Sequence, residues 1–309
     1  MALNNLDLDA LEIFRTVAIE GGVTRAARKL NRVQSNISTR LMQLEERLEV
    51  TLFHRINRRL ELTAEGSLLL SYADRLLQLA EDTEAAFRGG VAQGQIRLGS
   101  MESTAAARLP ELLAAYHAKH PQVQLDLVTD TTANLVERVQ QYDLDAAFVG
   151  EPVTSDEFEC LEAHQEKLVL IAARGKGFKK ASDTLNENLI TFRSGCAYRR
   201  MFENWLASEN VTARNCMEMS SYHALAACVS AGTGIAVIPE SVLDVLLIGS
   251  SVQRFELPKR FSQVKTLLIW RKNYQSSKLQ GIKELVIRLQ ARKPAITRSE
   301  KTMTDTEQL

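Results

Sequence analysis

Gln34-Ser35-Asn36-Ile37-Ser38, in the middle of the segment from Gly21 to Leu62, is the run whose reading decides the fold. Around it Val33, Ile37, Leu41, Leu44 and Leu48 recur at helical spacing, so the pattern predicts a helix with one face committed to a small core. The opposite face carries Ser35, Asn36, Ser38 and Thr39, with Gln34 and Arg40 on its flanks. All six can donate hydrogen bonds. Gln and Asn can pair bidentately with adenine and Arg with guanine, whereas Glu45, Glu46 and Glu49 further along would be repelled by phosphate. The N-terminal half of this helix is therefore expected to enter a major groove.

Working outward, Leu8, Leu11, Phe14, Val17 and Ala18 predict a first amphipathic helix, stopped by Gly21-Gly22. A short helix from Thr24, with Ala26, Ala27 and Leu30, is joined to the central one by Asn31-Arg32, a connector short enough for a helix-turn-helix. Leu52 to Arg55 and Arg59 to Thr63 alternate like two strands around a basic tip, which makes a wing. From Gly22 to Leu60 nine basic residues face three acidic ones, although the whole chain of 309 residues has a formal charge of zero. A neutral protein with one basic end suits binding of a polyanion at that end. The residues expected at DNA are Thr24, Arg25, Arg32, Gln34, Ser35, Asn36, Ser38, Thr39 and Arg40, with Arg55, Arg58 and Arg59 holding phosphate.

Thr63 is placed to cap a helix running to about Arg88. Its apolar positions Leu68, Leu69, Tyr72, Leu76, Leu79, Thr83 and Phe87 step by threes and fours, which predicts a homodimer seam. Gly89 to Gly94 reads as a hinge. Beyond it strands and helices alternate: strands at 96–99, 123–128, 146–150, 168–172, 189–192, 217–219, 235–238 and 266–270, and helices at 104–117, 132–141, 198–208, 222–230, 242–247 and 278–289. This order predicts parallel sheets flanked by helices, arranged as two α/β lobes with a ligand cleft between them. The expected organisation is a winged helix-turn-helix over 1–62, a linker helix and hinge over 63–91, and an effector domain over 92–292. Its lobes would span about 92–160 plus 267–292 and about 161–266. A disordered tail at 293–309 completes it.

At this point the chain resembles the LysR-type transcriptional regulators. Leu11-Glu12-Ile13-Phe14, Thr24-Arg25-Ala26-Ala27, Gln34 to Ser38, Leu44-Glu45, Leu52-Phe53, Arg55, Arg58, Leu62-Thr63 and Gly66 carry the likeness in the first part. Gly94 to Gly99, Leu109-Pro110, His120-Pro121, Asp143-Leu144-Asp145 and Gly232 to Pro239 carry it in the second. The resemblance implies a homodimer or homotetramer on a two-fold related double-stranded DNA site, contact with RNA polymerase, and two lobes resembling periplasmic binding proteins that sense a small coinducer. The family usually has a small hydroxyl residue at Val33, an apolar one at Arg32 and Ala at Asn36, so cap and base preference depart from it here.

The effector residues are expected where strands hand over to helices: Ser100, Met101, Glu102, Ser103 and Thr104, then Thr131 and Thr132, Gly150, and Ser220 with Ser221. Ordinary helix capping would select the same residue types. Arg193 and Glu102 read singly as surface positions; if both face the cleft they could pair with the carboxylate and ammonium of a zwitterion, or Glu102 could hold an amine. The effector is expected to be an amino acid, an amine or a small organic acid. Cys196, just before a helix, could have a lowered thiol pKa, and with Cys216 it offers a redox-sensing alternative.

His117 and His120 lack a third ligand, and Gly232-x-Gly234 lacks the third glycine of a nucleotide site. No nucleophile elbow or phosphate loop occurs, so an α/β enzyme or solute-binding protein with an appended DNA module is the lesser alternative. No catalytic residue, metal or cofactor is expected. Without a leader-like start or a long apolar run, the protein is expected in the cytoplasm, away from membranes.

Overall fold

The computed structural model describes residues 6–56, 59–87, 92–153, 155–212, 215–246 and 251–292. The chain divides near Gly94 into two compact units. The polar tail, the hinge glycines Gly89 and Gly90, and Arg58 lie outside the described residues, as do the side chains of Arg55 and Arg59.

In the first unit, α1 (Leu8–Glu20) starts at Asp7, whose carboxylate accepts from the Ala10 amide at 2.6 Å, and stops at left-handed Gly21. After α2 (Val23–Lys29) comes α3 (Gln34–Leu48), with Asn31 in the left-handed region between them. Strands β1 (Phe53–Ile56) and β2 (Arg59–Leu62) pair antiparallel, Phe53 opposite Leu62. Thr63 then caps α4 (Ala64–Phe87), its hydroxyl accepting from the Gly66 amide at 2.8 Å. Gly66 is required there by close approach, since a Cβ would stand 2.2 Å from the Leu52 carbonyl oxygen.

Phe14, Ile37, Leu44 and Leu52 lie at the centre of this unit's core. The expected apolar stripe of α3 is shorter than its spacing implies. Ile37, Leu41 and Leu44 are buried, but Val33 is 69% exposed and Leu48 38% exposed. Val33 precedes the first turn as the N-cap, where helical periodicity no longer governs direction, and it supplies no side-chain hydrogen bond. On α4, Leu69, Leu70, Ala73 and Leu77 pack on the core, while Leu68, Tyr72, Leu76, Leu79 and Phe87 stay exposed. The predicted seam therefore mixes two faces: Leu69 belongs to the domain core and the rest to the outer stripe.

The second unit runs β3 (Gly94–Ser100), α5 (Glu102–Ala107), α6 (Leu109–Lys119), β4 (Val123–Thr129), α7 (Thr132–Gln140), β5 (Ala146–Gly150) and β6 (Phe158–Ala173). It continues with a 3-10 turn at Ala181–Thr184, β7 (Leu189–Phe192), α8 (Ala197–Ser208), β8 (Cys216–Met219), α9 (Tyr222–Ser230), β9 (Ala236–Pro239) and α10 (Glu240–Leu246). The last elements are β10 (Val252–Glu256), α11 (Lys259–Ser262), β11 (Gln263–Arg271) and α12 (Ser277–Arg292).

One lobe is built on the strand order β4-β3-β5-β11-β6; in the other, β9 and β10 pair with β6, and parallel β7-β8 joins through the Leu189–Ile235 bridge. The sheets are mixed rather than wholly parallel. β6 is 16 residues long and serves both lobes: Phe158 to Lys167 pair antiparallel with β11, Leu168 to Ala173 with β9 and β10. Its first half alternates charged residues on a partly exposed face, so only the apolar second half, 168–172, reads as a strand in sequence. The change of partner falls at Lys167/Leu168, within the segment that the sequence assigns to the second lobe.

The single helix expected at 104–117 is two. Arg108, at φ −123°, interrupts it, and Pro110 in the first turn of α6 offers no amide to the preceding turn.

Candidate nucleic-acid interface and ligand cleft

α3 presents Gln34, Ser35, Asn36, Ser38 and Thr39 to solvent at its N-terminal half, and Thr24 and Arg25 are exposed on α2. With Ile37 and Leu41 anchored in the core, the remaining positions of the first turns have to face outward. Arg25 donates to the Glu20 carbonyl.

Arg32 carries a second engagement, within the unit itself. Turned back by left-handed Asn31, it forms a two-pronged pair with Asp9 at the start of α1, and this hydrogen bond holds the Asp9 carboxyl below its usual range. Arg40 lies 3.7 Å from Asp7 and 3.6 Å from Asp9, and Arg47 3.5 Å from Asp7. The charge count from Gly22 to Leu60 missed these acids because they belong to α1. Part of the basic surplus is spent inside the unit.

In the second unit a cleft of about 200 Å³ opens where strands of both lobes end. Met101, Glu102 and Ser103 enter from the start of α5, and Thr129 to Thr132 from the β4–α7 junction. The facing lobe supplies Phe192, Arg193, Cys196, Tyr198, Ser220 and Tyr222. The lobes touch beside it: the Ala133 amide donates to the Gly195 carbonyl at 3.2 Å, and Ser103 bonds the Tyr198 hydroxyl at 3.3 Å. Gly195 has φ 88° and leaves no room for a Cβ, which would stand 2.9 Å from Ala133.

Eight of the residues expected at an effector line this cleft: Met101, Glu102, Ser103, Thr131, Thr132, Arg193, Cys196 and Ser220. Four others support it from behind. The Ser100 hydroxyl donates to the Met101 carbonyl, Thr104 is buried on the inner side of α5, and Ser221 caps α9 by accepting from the Ala224 amide. Gly150 packs on Ala197 and donates its amide to the Thr132 hydroxyl at 3.1 Å. For Ser221 the capping reading is the geometry seen. Thr129, Asp130, Phe192, Tyr198 and Tyr222 were missed. In sequence the aromatics read as core, and only strand-end position relates them to the cleft.

Burial raises the Glu102 carboxyl above its ordinary range, the Tyr222 amide and His223 drawing it the other way. Its Oε2 is buried without a hydrogen-bond partner. Asp130 is engaged, accepting from the Thr131 amide and the Asn134 side chain at 2.8 and 2.9 Å. Burial also pushes the phenols of Tyr198 and Tyr222 up, so both remain neutral.

Burial pushes the Cys196 thiol up, outweighing the amides at the start of α8. The lowered pKa expected from helix position is thus reversed, because desolvation of a thiolate exceeds the dipole's help. Cys196 and Cys216 are both free thiols, and Cys216 contacts the Thr191 hydroxyl at 3.2 Å. His120 packs at a tilt against Tyr116, and no group of potential metal ligands occurs among the described residues. No helix among them is long and apolar enough to cross a membrane.

Two family models match the chain: "Bacterial regulatory helix-turn-helix protein, lysR family" over residues 8–67 and "LysR substrate binding domain" over 89–290. The uncharacterized HTH-type transcriptional regulator YusT of Bacillus subtilis is 38% identical over 264 residues, 85% of this chain and 89% of that protein. The HTH-type transcriptional regulator GltR of the same species is 33% identical over 87% of this chain and 91% of its own length. The full-length structure of CbnR complexed with its target DNA aligns with TM-score 0.64 and 26% identity, covering 92% of this chain and 99% of that one. Full-length OxyR from Pseudomonas aeruginosa aligns with TM-score 0.71 at 19% identity, covering 93% and 95%, a likeness of fold.

Proposed function

The chain belongs to the LysR family of transcriptional regulators, DNA-binding proteins rather than enzymes, and from that premise we propose how it works. Residues 1–62 act as the reading head, 63–91 as the linker and 92–292 as the sensor. The N-terminal face of α3 lies in a major groove, where Gln34, Ser35, Asn36, Ser38 and Thr39 contact base edges, with Thr24, Arg25 and Arg40 beside them. Arg55, Arg58 and Arg59 hold phosphates. The observation that carries this reading is the exposed polar first half of α3 above a fully buried Ile37. CbnR, similar along nearly its whole length, is known with its target DNA.

Two copies act together in the cytoplasm on a two-fold related site, joined along the exposed stripe of α4, which includes Leu68 and Leu79. A dimer, or a tetramer built from two, meets RNA polymerase at the promoter. A small polar effector, an amino acid, amine or organic acid, occupies the cleft between the lobes and biases two arrangements of the assembly through its different affinity for each.

The test is binding to DNA flanking the protein's own gene, measured across ionic strength. Specific binding that weakens steeply with salt is expected. Equal affinity for flanking and unrelated DNA at all salt concentrations would overturn the proposal.

A further inference from the structure

We propose that the cleft is built for a small zwitterion of the amino-acid type, with Glu102 anchoring the ligand's ammonium and Arg193 facing its carboxylate. The proposal deepens the effector reading given above and rests on it.

Glu102 carries the argument. It enters the cleft from the first residue of α5, and its Oε2 is enclosed without a hydrogen-bond donor. A carboxylate oxygen in that position costs free energy until something donates to it. Burial already holds its proton affinity above the ordinary range, which reports the same deficit. A ligand ammonium supplies both the charge and the donor. Phe192 and Tyr222, 4.4 Å apart between ring centroids, line the same space, and an aromatic lining suits a cation. A simple carboxylic acid placed here would meet a like charge.

The remaining groups point to the second half of the ligand. Arg193 lines the cleft from the facing lobe, is exposed, and its side chain has no partner among the described residues. Ser220 is likewise exposed and unpartnered on that lobe. Asp130, the other acid in the cleft, has its Oδ1 engaged by the Thr131 amide and the Asn134 side chain and is partly exposed to solvent, so the enclosed, donor-less oxygen is that of Glu102. A carboxylate with one donor-less oxygen and an unpaired guanidinium therefore line the same space from opposite lobes. A molecule that bridges them favours the closed cleft, which would couple occupancy to lobe position.

The test uses the full chain and thermal unfolding followed by calorimetric titration. The probes are the standard protein amino acids, each with its deaminated acid and its decarboxylated amine. At least one amino acid is expected to stabilise the protein, with both of its analogues binding about tenfold more weakly or worse. Glu102→Gln should lower affinity for that amino acid about tenfold and leave the deaminated acid unchanged or improved, inverting the selectivity. Arg193→Ala, at an exposed position without a side-chain partner among the described residues, should weaken the amino acid but not its amine. Stabilisation by no amino acid, equal binding of the deaminated acid, or full affinity in both variants would each overturn the proposal. Promoter binding measured on the same preparations judges the regulator reading separately, since it can persist when every amino acid fails.

Discussion

Arg108 and Glu166 meet in a two-pronged ion pair, Nε to Oε1 at 2.6 Å and Nη2 to Oε2 at 2.9 Å, with Glu166 only 2% exposed. The break between α5 and α6 delivers the guanidinium, and Glu166 stands on β6 just before that strand changes lobes. Ser241 of α10 donates to the same carboxylate at 2.8 Å, so one buried charge ties elements of both lobes to the crossing strand. Removing one member of such a pair leaves the other uncompensated. Glu166→Gln is expected to destabilise the unit by about 3 kcal/mol, and Arg108→Met with Glu166→Leu to recover most of the loss. Tryptophan fluorescence during urea unfolding reads this unit alone, because both tryptophans, Trp205 and Trp270, lie in it.

Val33 caps α3 without a hydrogen bond and is 69% exposed, so a hydroxyl there gains a bond and loses no packing. Val33→Ser should stabilise the first unit by about 1 kcal/mol. For a unit this small that is a rise of roughly 4–8 °C in its thermal midpoint, read by circular dichroism. An unchanged midpoint would show that solvent already satisfies those amides.

On DNA, Ser35→Ala combined with Asn36→Ala should cost about 1–3 kcal/mol on the cognate site and nothing on random sequence. Arg58→Ala should weaken both alike and reduce the slope of log affinity against log salt by about one. Titrations at several ionic strengths separate the two patterns. Equal losses on both kinds of DNA from the helix pair would contradict the groove assignment.

Leu79 is 63% exposed on the outer stripe of α4, which also carries Leu68 at 60% and Leu76 at 38%. Leu79→Glu is expected to shift the oligomer to monomer in sedimentation while changing the stability of the isolated fold by less than about 0.5 kcal/mol. An unaltered sedimentation profile would remove α4 from the dimer.

For Glu102 the sign follows from its raised folded-state pKa. Its protonated form is favoured in the fold, so its contribution to stability is fully present below the ordinary carboxyl range and is lost as pH rises through the folded value. Ligand-free Glu102→Gln should therefore be more stable than the parent at neutral pH, with the gain disappearing in acid. Thermal midpoints at several pH values test this, and a pH-independent difference would assign the effect to packing.

The reading head was legible because its signals are local. Helical spacing, the Gly21 stop and the Thr63 cap act within a few residues, and each recurs in the structure with small shifts at the ends. The pairing of Arg32 with Asp9 was not legible because Asp9 lies 23 positions away, and nothing in a window of basic residues announces it. In the sensor, strand ends pointed to Glu102, Thr131, Arg193 and Ser220, since ligands gather where such strands stop. Tyr198 and Tyr222 were hidden by their size, which is as suitable for a core as for a cleft wall. The first half of β6 was hidden by its charges: Glu159 and Glu162 are exposed, and Glu166 is buried only because Arg108 pairs with it, in a ladder formed with a strand about a hundred residues later.

Lys167 and Gln263 are direct partners across the antiparallel ladder, and everything from Leu168 to Ser262 lies between them in the chain. Paired positions of this kind stand about 5 Å apart. The second lobe is thus a single excursion that leaves and re-enters its neighbour through one narrow doorway. Ligand preference could change by exchanging that excursion as one cassette between relatives, with two joints to match and the first lobe's ladder unbroken. A transplant cut anywhere else along β6 would divide hydrogen bonds that belong together.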